Sequence, residues 1–381
     1  MIKTRVVFID SIVNQEFVNS VINENQVIKG IFTIRNNRVL ISGKNKGSNL
    51  THATMCAKKF LDNFYGCCEI YFIEILDDSG FTTNISSLLI ALQWCLENEI
   101  DIINLSIGTT VMADMPVLYK KINRLIAKGV IIVSASSNNN KMTFPAYFPN
   151  IIGVRALYDK FRREGFEYEE DIDGIEINCY LREEIIKYNK KYYTIPCANS
   201  FAAPVISAKV CNLMNEGYNK IFMIRKKLKK EAITTNWKKQ IKKELFSKDV
   251  NIPILEVVEE KDVPRLIQKL LMEFEKLGYH GICLSKDLKT DFENKIIDIS
   301  DYLYNVDKIL RFYNHYCDID YIILHMGNNI SELMLDTIDI IINNTDSKIY
   351  YCNDGTKDIC VKTYKNTDEM FMEICHLLIE K

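Results

Sequence analysis

Three residues that lie far apart in this chain, Asp10, His52 and Ser200, are of the types that together turn a hydroxyl into a nucleophile. A serine hydroxyl attacks poorly until a neighbouring base takes its proton, and an imidazole can take that proton and later give it to a leaving amine. A carboxylate bonded to the imidazole fixes its tautomer and stabilises its charged form. The three types therefore allow acyl transfer through a serine, provided that the fold brings them together.

Each residue also has an ordinary structural explanation when it is taken alone. A serine just before a helix is most often a cap. Pro204 is suited to begin a helix here, because proline lacks the amide donor that a first turn leaves unused, and residues 205–214 read as a buried helix. Asp10 ends a short strand, where it can cap the next turn. His52 begins a predicted helix, and a lone histidine there is more often structural.

The elements that must position these residues alternate between strand and helix. Strands are predicted at 4–9, 31–34, 39–41, 69–76, 100–108 and 130–137, and helices at 51–64, 84–98 and 117–128. Such alternation predicts an α/β fold with a doubly wound parallel sheet that is covered on both faces. Because open α/β sheets place functional groups at the carboxyl ends of their strands, Asp10 stands where a site is expected.

A second, smaller α/β domain is predicted at the C-terminus, over residues 251–381. It follows residues 1–224 and a basic linker or helix at 225–250. Neither of the usual glycine-rich phosphate motifs follows any of its strands, so phosphate binding is unsupported. Its histidines do not have metal-site spacing, so we predict no metal and no cofactor. Recognition of a substrate peptide, of a partner or of a second copy of the chain is its expected role.

Composition excludes several classes of protein. The 381 residues carry a net charge near −2, which gives no overall attraction to nucleic acid or to an anionic membrane. The basic run at 225–230 is interpreted as a solvated helix or linker face, with binding of nucleic acid or of an acidic peptide as the alternative. No apolar run is long enough to span a bilayer, no signal peptide is recognisable, and the twelve cysteines include no C-x-x-C. A cytoplasmic protein with reduced thiols is predicted.

Five segments in chain order resemble the motifs of a single family. They are Val7-Phe8-Ile9-Asp10-Ser11, His52-Ala53-Thr54-Met55-Cys56-Ala57, Asn104-Leu105-Ser106-Ile107-Gly108, Ser136-Ser137-Asn138 with Phe144-Pro145-Ala146-Tyr147-Phe148-Pro149, and Asn199-Ser200-Phe201-Ala202-Ala203-Pro204. In the same order, they resemble five motifs of the subtilisin-like serine proteases, or subtilases. These are the aspartate motif, the histidine motif H-G-T-H-V-A, the substrate-binding strand, the motif A-G-N followed by Y-P-A-x-Y-P, and the serine motif G-T-S-M-A-x-P. The resemblance covers residues 4–215 and has the subtilisin order Asp, His, Ser.

The resemblance implies a role for each matching position. Asp10, His52 and Ser200 would form the catalytic triad, and Asn138 would donate its side-chain amide to the oxyanion together with the Ser200 backbone N–H. The backbone of the segment Leu105, Ser106, Ile107 and Gly108 would bind an extended substrate as an added strand. Thr143 falls near the expected floor of the pocket for the residue before the scissile bond.

Six positions depart from the family motifs. Ile12, Ala53 and Ser137 stand where the family has glycine. Met55 replaces its second histidine, Asn199 its threonine and Phe201 its methionine. These positions affect pocket shape more than proton transfer. The predicted strand of Asp10 also begins within five residues of Met1, without the prodomain of secreted members, as in intracellular members.

The resemblance therefore implies an intracellular serine endopeptidase with a dedicated peptide or precursor as substrate, for example in leader removal, as in the subtilases of bacterial peptide maturation. The alternative is an inactive subtilase retained as a peptide-binding scaffold, in which the altered flanks close the cleft. A third possibility, an α/β protein with accidental motifs, requires Asp10, His52 and Ser200 to lie far apart.

Overall fold

The computed structural model describes residues 3–42, 49–76, 83–158, 164–169, 174–233, 250–258, 262–301, 306–327, 338–343, 345, 347–352 and 359–379. The chain forms two compact units. The first comprises residues 1–110 and 117–236, and the second comprises residues 111–116 and 237–381. Within the described residues, no helix is both long enough and apolar enough to cross a membrane.

The first unit contains a large sheet, a separate hairpin and the helices that cover them. Its strands are β1 (Thr4–Asp10), β2 (Gln26–Arg35), β3 (Arg38–Ile41), β4 (Cys68–Glu74), β5 (Ile102–Leu105), β6 (Ile131–Ala135), β7 (Ile152–Tyr158), β8 (Phe166–Tyr168), β9 (Ile177–Leu181), β10 (Glu184–Tyr188) and β11 (Lys191–Ile195). Its helices are α1 (Gln15–Val21), α2 (His52–Asn63), α3 (Ile85–Glu97), α4 (Met115–Ala127, whose first two residues belong to the second unit), α5 (Asn199–Asn215) and α6 (Ile221–Glu231).

The large sheet has the order β3-β2-β4-β1-β5-β6-β7-β9-β8, and all of its pairs are parallel except those of the edge strands β3 and β8. Side chains of β1 are buried on both of its faces: Val6 and Phe8 join the core beneath α2 and α5, while Val7 and Ile9 point the other way. The predicted doubly wound α/β sheet is therefore confirmed. The chain adds strands first on one side of β1 and then on the other, and such a reversal creates a crevice at the carboxyl ends.

Helix α6 spans the predicted boundary at residue 224. Ile224 and Leu228 on this helix are fully buried in the core of the first unit. The beginning of the predicted basic linker is thus a helix with one apolar face, and its lysines occupy the remaining faces. Residues 234–249 of the predicted linker lie outside the described residues.

The second unit has its own sheet and core. Its strands are β12 (Ile254–Val258), β13 (Gly281–Ser285), β14 (Ile296–Asp298), β15 (Tyr321–His325), β16 (Ile340–Asn343), β17 (Lys348–Cys352) and β18 (Ile359–Thr363), in the order β14-β13-β15-β12-β16-β17-β18, and its helices are α7 (Val263–Lys276), α8 (Val306–Tyr316) and α9 (Thr367–Ile379). Strands β12 to β16 pair in parallel. Apolar side chains of α7 and α9 pack on one face of this sheet.

A carboxyl group is buried at the centre of this second sheet. Leu255 and Val257 of β12 point into the core under α7 and α9, so Glu256 between them points to the opposite face. Glu256 is 1% exposed, and its Oε2 atom has no hydrogen-bond partner. Burial raises the pKa of Glu256 from 4.5 to about 7. Between pH 4.5 and 7, Glu256 is therefore protonated in the folded unit and ionised in the unfolded chain. Because the folded state binds the extra proton, the free energy of unfolding falls as the pH rises through this range.

Replacing this carboxyl group is expected to stabilise the protein only where the carboxyl group is charged. We expect Glu256→Gln to raise the free energy of unfolding by up to about 3 kcal/mol at pH 8, and to change it little at pH 4.5. Denaturant unfolding of the full chain at both pH values measures the difference. Glu293→Gln, at an exposed carboxyl of the same unit, is the matched control. An equal gain at both pH values would contradict the assignment.

Candidate active site

The carboxylate at the end of β1 is hydrogen-bonded to the first residue of α2. His52 Nδ1 lies 2.8 Å from Asp10 Oδ1 and 3.0 Å from Oδ2. An ionised carboxylate can only accept, so Nδ1–H donates, and Nε2 is the nitrogen that can take up or release a proton. Thr51 begins the helix by accepting from the Thr54 backbone N–H, which holds His52 at the start of α2. The pair thus presents Nε2 as a base.

Opposing influences set the basicity of this imidazole. Burial lowers the pKa of His52, and the neighbouring Cys56 and Asp10 side chains raise it by more, so that it stays above the ordinary 6.5. Burial also raises the pKa of the Cys56 thiol, which is therefore uncharged at neutral pH. Cys56 and Asp10 together therefore keep the pKa of His52 above its ordinary value.

Ser200 is the second residue of α5. The prediction that Pro204 begins this helix is wrong, because α5 begins at Asn199 and Pro204 lies inside it. A proline there cannot donate to the carbonyl four residues earlier, which is that of Ser200. The Cys56 Sγ lies 3.5 Å from that carbonyl oxygen and donates to it instead. A thiol on α2 thus supplies the hydrogen bond that the proline removes.

Cys56 and Phe201 connect the surroundings of Ser200 with those of His52. The Cys56 Sγ is 3.7 Å from Nδ1 and 4.0 Å from Nε2 of His52, and the Phe201 ring centroid lies 4.9 Å from that of the imidazole. In the described part of the chain, the Ser200 hydroxyl makes no hydrogen bond to the imidazole. Without substrate such a bond is often long or absent, and it tightens when the substrate is bound.

Two donors near Ser200 are free to bind an anion. The Ser200 backbone N–H, in the first turn of α5, donates to no group among the described residues. Asn138 is exposed at the turn after β6, and its Oδ1 accepts from the Asn199 backbone N–H at 2.8 Å. No described group accepts from the Asn138 Nδ2. An amide and a helix N-terminus without acceptors are typical of an oxyanion site.

The predicted substrate-binding segment has unused backbone groups. Leu105 ends β5 and is buried, whereas Ser106, Ile107 and Gly108 make no backbone hydrogen bond to other described residues. The Ser106 hydroxyl accepts from the Asn104 Nδ2 at 3.0 Å, and its oxygen lies 3.5 Å from the Cys56 Sγ. The segment is therefore held by side chains, and its backbone stays available.

Thr143 is buried and acts as a brace between two segments. Its Oγ1 accepts from the Ser137 backbone N–H at 2.8 Å and donates to the Lys141 carbonyl at 2.9 Å. Its methyl group lies against Gly108, where an added Cβ would come within 2.5 Å of the Thr143 Cγ2. Thr143 therefore adjoins the end of the predicted substrate segment, and a side chain at position 108 would collide with it.

Asp10, His52 and Cys56 also form the one group of metal-ligating side chains found within the described residues. Their ligand atoms lie within 4.8 Å of one another. An ion bound there would compete with the proton for His52, so this group could inhibit a base but could not assist it. The histidines of the second unit belong to no such group among the described residues.

Sequence reasoning assigned no role to two neighbours of the site. Cys56 is four residues after His52, so helical spacing alone places it on the same face of α2 and could have indicated it. In the sequence, Asn199 stands out only because it differs from the family motif, whereas in the structure its side chain makes three hydrogen bonds. No sequence pattern indicates that network, because its partners lie on separate strands and loops.

The family model and the curated relatives that match this chain belong to the same protein family. A family model described as the subtilase family, Peptidase_S8, matches residues 9–252. The minor extracellular protease Epr of Bacillus subtilis strain 168 is 30% identical over 148 residues, which are 37% of this chain and 21% of that protein. This chain spans between about a fifth and about a half of the length of the first curated relatives that it matches.

Two solved structures of proteases are also similar to this chain. One is described as a lanthipeptide protease, with 14% identity, a TM-score of 0.45 and coverage of 61% of this chain and 81% of that one. The other is described as the prenylagaramide maturation protease PagA, with 20% identity, a TM-score of 0.41 and coverage of 57% and 78%.

Proposed function

The chain belongs to the subtilase family, and from that premise we propose that it is a serine endopeptidase that hydrolyses peptide bonds through an acyl-enzyme. The observation that carries the proposal is the 2.8 Å hydrogen bond between Asp10 and His52. It prepares an imidazole base beside the helix whose first turn contains Ser200. The free amide of Asn138 adds the second element that acyl transfer needs, a donor for a developing oxyanion.

The proposed reaction begins with attack of the Ser200 hydroxyl oxygen on the scissile carbonyl carbon, while His52 Nε2 takes the hydroxyl proton. The negative charge on the carbonyl oxygen is held by the Ser200 backbone N–H and the Asn138 Nδ2. His52 then passes its proton to the leaving amine, and the C–N bond breaks. A water molecule attacks the acyl-serine with His52 again as base, and the carboxylate product leaves with Ser200 restored.

We further propose that substrate lies along the segment from Leu105 to Gly108 as an added strand. The unused backbone groups of Ser106, Ile107 and Gly108 support this role. The buried Thr143 adjoins Gly108 at the end of this segment and is the proposed floor of the pocket. A dedicated substrate rather than general digestion is proposed because six positions depart from the family motifs.

The substrate class proposed here is a peptide or precursor protein that is cut once, for example to remove a leader from a bacterial peptide. The second unit, which has a buried core of its own, is the candidate for recognising the rest of such a precursor. All of the described cysteines whose state is given are free, which supports a reducing compartment such as the cytoplasm.

A fluorophosphonate probe tests the proposed function directly, because it reacts with a serine that has been activated by a base and an oxyanion site. We expect the native protein to be labelled, with the adduct mapped by mass spectrometry to the peptide that contains Ser200. Heat-denatured protein is the control and should not react. Failure of the native protein to react, alone and with candidate peptides, would favour the inactive scaffold, in which the Phe201 contact with His52 holds the site closed.

The rate of labelling should depend on pH through His52. Only the neutral imidazole can take the Ser200 proton. Burial lowers the pKa of His52, but the neighbouring Cys56 and Asp10 side chains together raise it by more, so that it lies above 6.5. We therefore expect the rate to rise about tenfold per pH unit through neutrality and to level off only at alkaline pH. Rates measured from pH 5.5 to 10 follow this rise, and Asp10→Asn should move the plateau to a lower pH. A plateau reached by pH 6.5 would exclude a raised pKa.

A further inference from the structure

We infer that Asn199 is a positioning residue that orients the oxyanion donor Asn138, an inference that rests on the proposed protease function. Asn199 stands where the family motif has threonine, and its side chain is 7% exposed. It does not point toward the reacting groups as a catalytic residue would. It acts instead through the loop of residues 136–138, which carries Asn138.

The side chain of Asn199 joins this loop to the sheet. Its Nδ2 donates to the Ser137 carbonyl at 2.8 Å and to the Ser136 hydroxyl at 3.0 Å. Its Oδ1 accepts from the Ala156 backbone N–H on β7 at 2.8 Å. Both donor hydrogens and the acceptor are used, so the amide has one orientation. A threonine has a single hydroxyl and cannot replace all three bonds.

The backbone of Asn199 then sets the orientation of Asn138. Its N–H donates to the Asn138 Oδ1 at 2.8 Å, which fixes which end of that amide faces α5. The Asn138 Nδ2 is left pointing away from this bond, without an acceptor among the described residues. Since Asn199 directly precedes Ser200, a single residue, Asn199, connects the two proposed oxyanion donors.

The loop is also held from its other side, at Ser137. The Ser137 N–H donates to Thr143 and its carbonyl accepts from Asn199, so both backbone groups of this residue are occupied. In the family motif a glycine precedes the oxyanion asparagine, and this chain has Ser137 there. The Asn199 side chain thus holds the loop through the backbone carbonyl of Ser137, and Thr143 holds it through the backbone N–H.

A double-mutant cycle separates a positioning role from a merely structural one. The variants are Asn199→Ala, Asn138→Ala and the double variant, and saturation kinetics with the fluorophosphonate probe give the maximal labelling rate and the half-saturating concentration. We expect Asn199→Ala to lower the maximal rate by about tenfold to a hundredfold with half-saturation unchanged, and the double variant to react as slowly as Asn138→Ala alone. The inference would be overturned if the loss of rate in the double variant equalled the product of the two single losses. It would also be overturned if Asn199→Ala reacted at the wild-type rate.

The matched control is Asn212→Ala on the same helix. Asn212 also uses its side-chain amide twice, accepting from the Tyr65 backbone N–H and donating to the Asn63 carbonyl, at the end of α5 away from Ser200. We expect its labelling constants to equal those of the wild type. Melting temperatures of all variants establish that each is folded at the assay temperature.

A readout independent of activity keeps this inference separate from the proposed function. If the wild type itself is not labelled, the proposed function fails, and NMR of asparagine-labelled protein still tests the inference. The side-chain NH₂ of Asn138 should be ordered in the wild type and in Asn212→Ala, and mobile in Asn199→Ala. An equally ordered amide in Asn199→Ala would show that Asn199 does not orient it.

Discussion

Replacing Ser200 by alanine is expected to reduce peptide-bond hydrolysis to the background that substrate binding alone provides. Ser200 forms the bond to the acyl group, and His52→Ala should cost as much because the hydroxyl then has no base. In subtilisin, a member of the same family on which these magnitudes were measured, loss of the serine or the histidine costs about 10⁶-fold in kcat, and loss of the aspartate about 10⁴-fold. We expect the same order here, with Asp10→Asn as the mildest of the three.

Non-additivity is the sharper part of this prediction. Because the three groups act as one unit, the triple variant should be no slower than Ser200→Ala alone. Hydrolysis of a fluorogenic peptide library by purified full-length protein measures the rates. His376→Ala, at an exposed histidine in the last helix of the second unit, is the control and should retain full activity. Losses that multiply across Asp10, His52 and Ser200 would show three independent effects and would contradict a triad.

The part of the site that could be predicted from the sequence is the part set by strand ends and helix starts. Asp10 ends a buried strand and His52 begins a helix, and the reversal of strand order beside β1 brings these two positions to one edge of the sheet. The turn between the predicted strands at 31–34 and 39–41 is likewise set locally, because Asn36 and Asn37 both adopt the left-handed backbone that asparagine tolerates, with φ of 51° and 57°.

The features of the site that could not be predicted from the sequence depend on contacts between segments that are distant in the chain. The helix that contains Ser200 starts five residues before Pro204, because Cys56 of α2 supplies the hydrogen bond that proline cannot make. The local rule that proline begins a helix contains no information about α2. Residues 111–116 similarly follow the predicted substrate segment in the sequence and yet pack with the second unit, which no periodicity in that stretch indicates.

The second large effect is expected at Asn138. Its Nδ2 has no acceptor in the described part of the protein, so it can donate to an oxyanion that forms beside Ser200 without breaking a hydrogen bond between these residues. Removing the corresponding asparagine of subtilisin costs about 10²- to 10³-fold in kcat, and we expect Asn138→Ala to lower kcat by a similar factor with KM unchanged. The bond forms only as charge develops, which is why substrate binding should not weaken.

The exposed neighbour Asn139 supplies the matched control for this prediction. It lies on the same turn, and Asn139→Ala removes an amide of the same size one residue farther from the site, so its kcat should stay at the wild-type value. Asn138→Asp extends the test, because a carboxylate of nearly the same shape cannot donate and repels the oxyanion, so its kcat should fall below that of Asn138→Ala. A rise in KM with kcat preserved would mean that Asn138 binds substrate in its ground state. The charge developing on the carbonyl oxygen would then have to be held by the Ser200 backbone N–H alone.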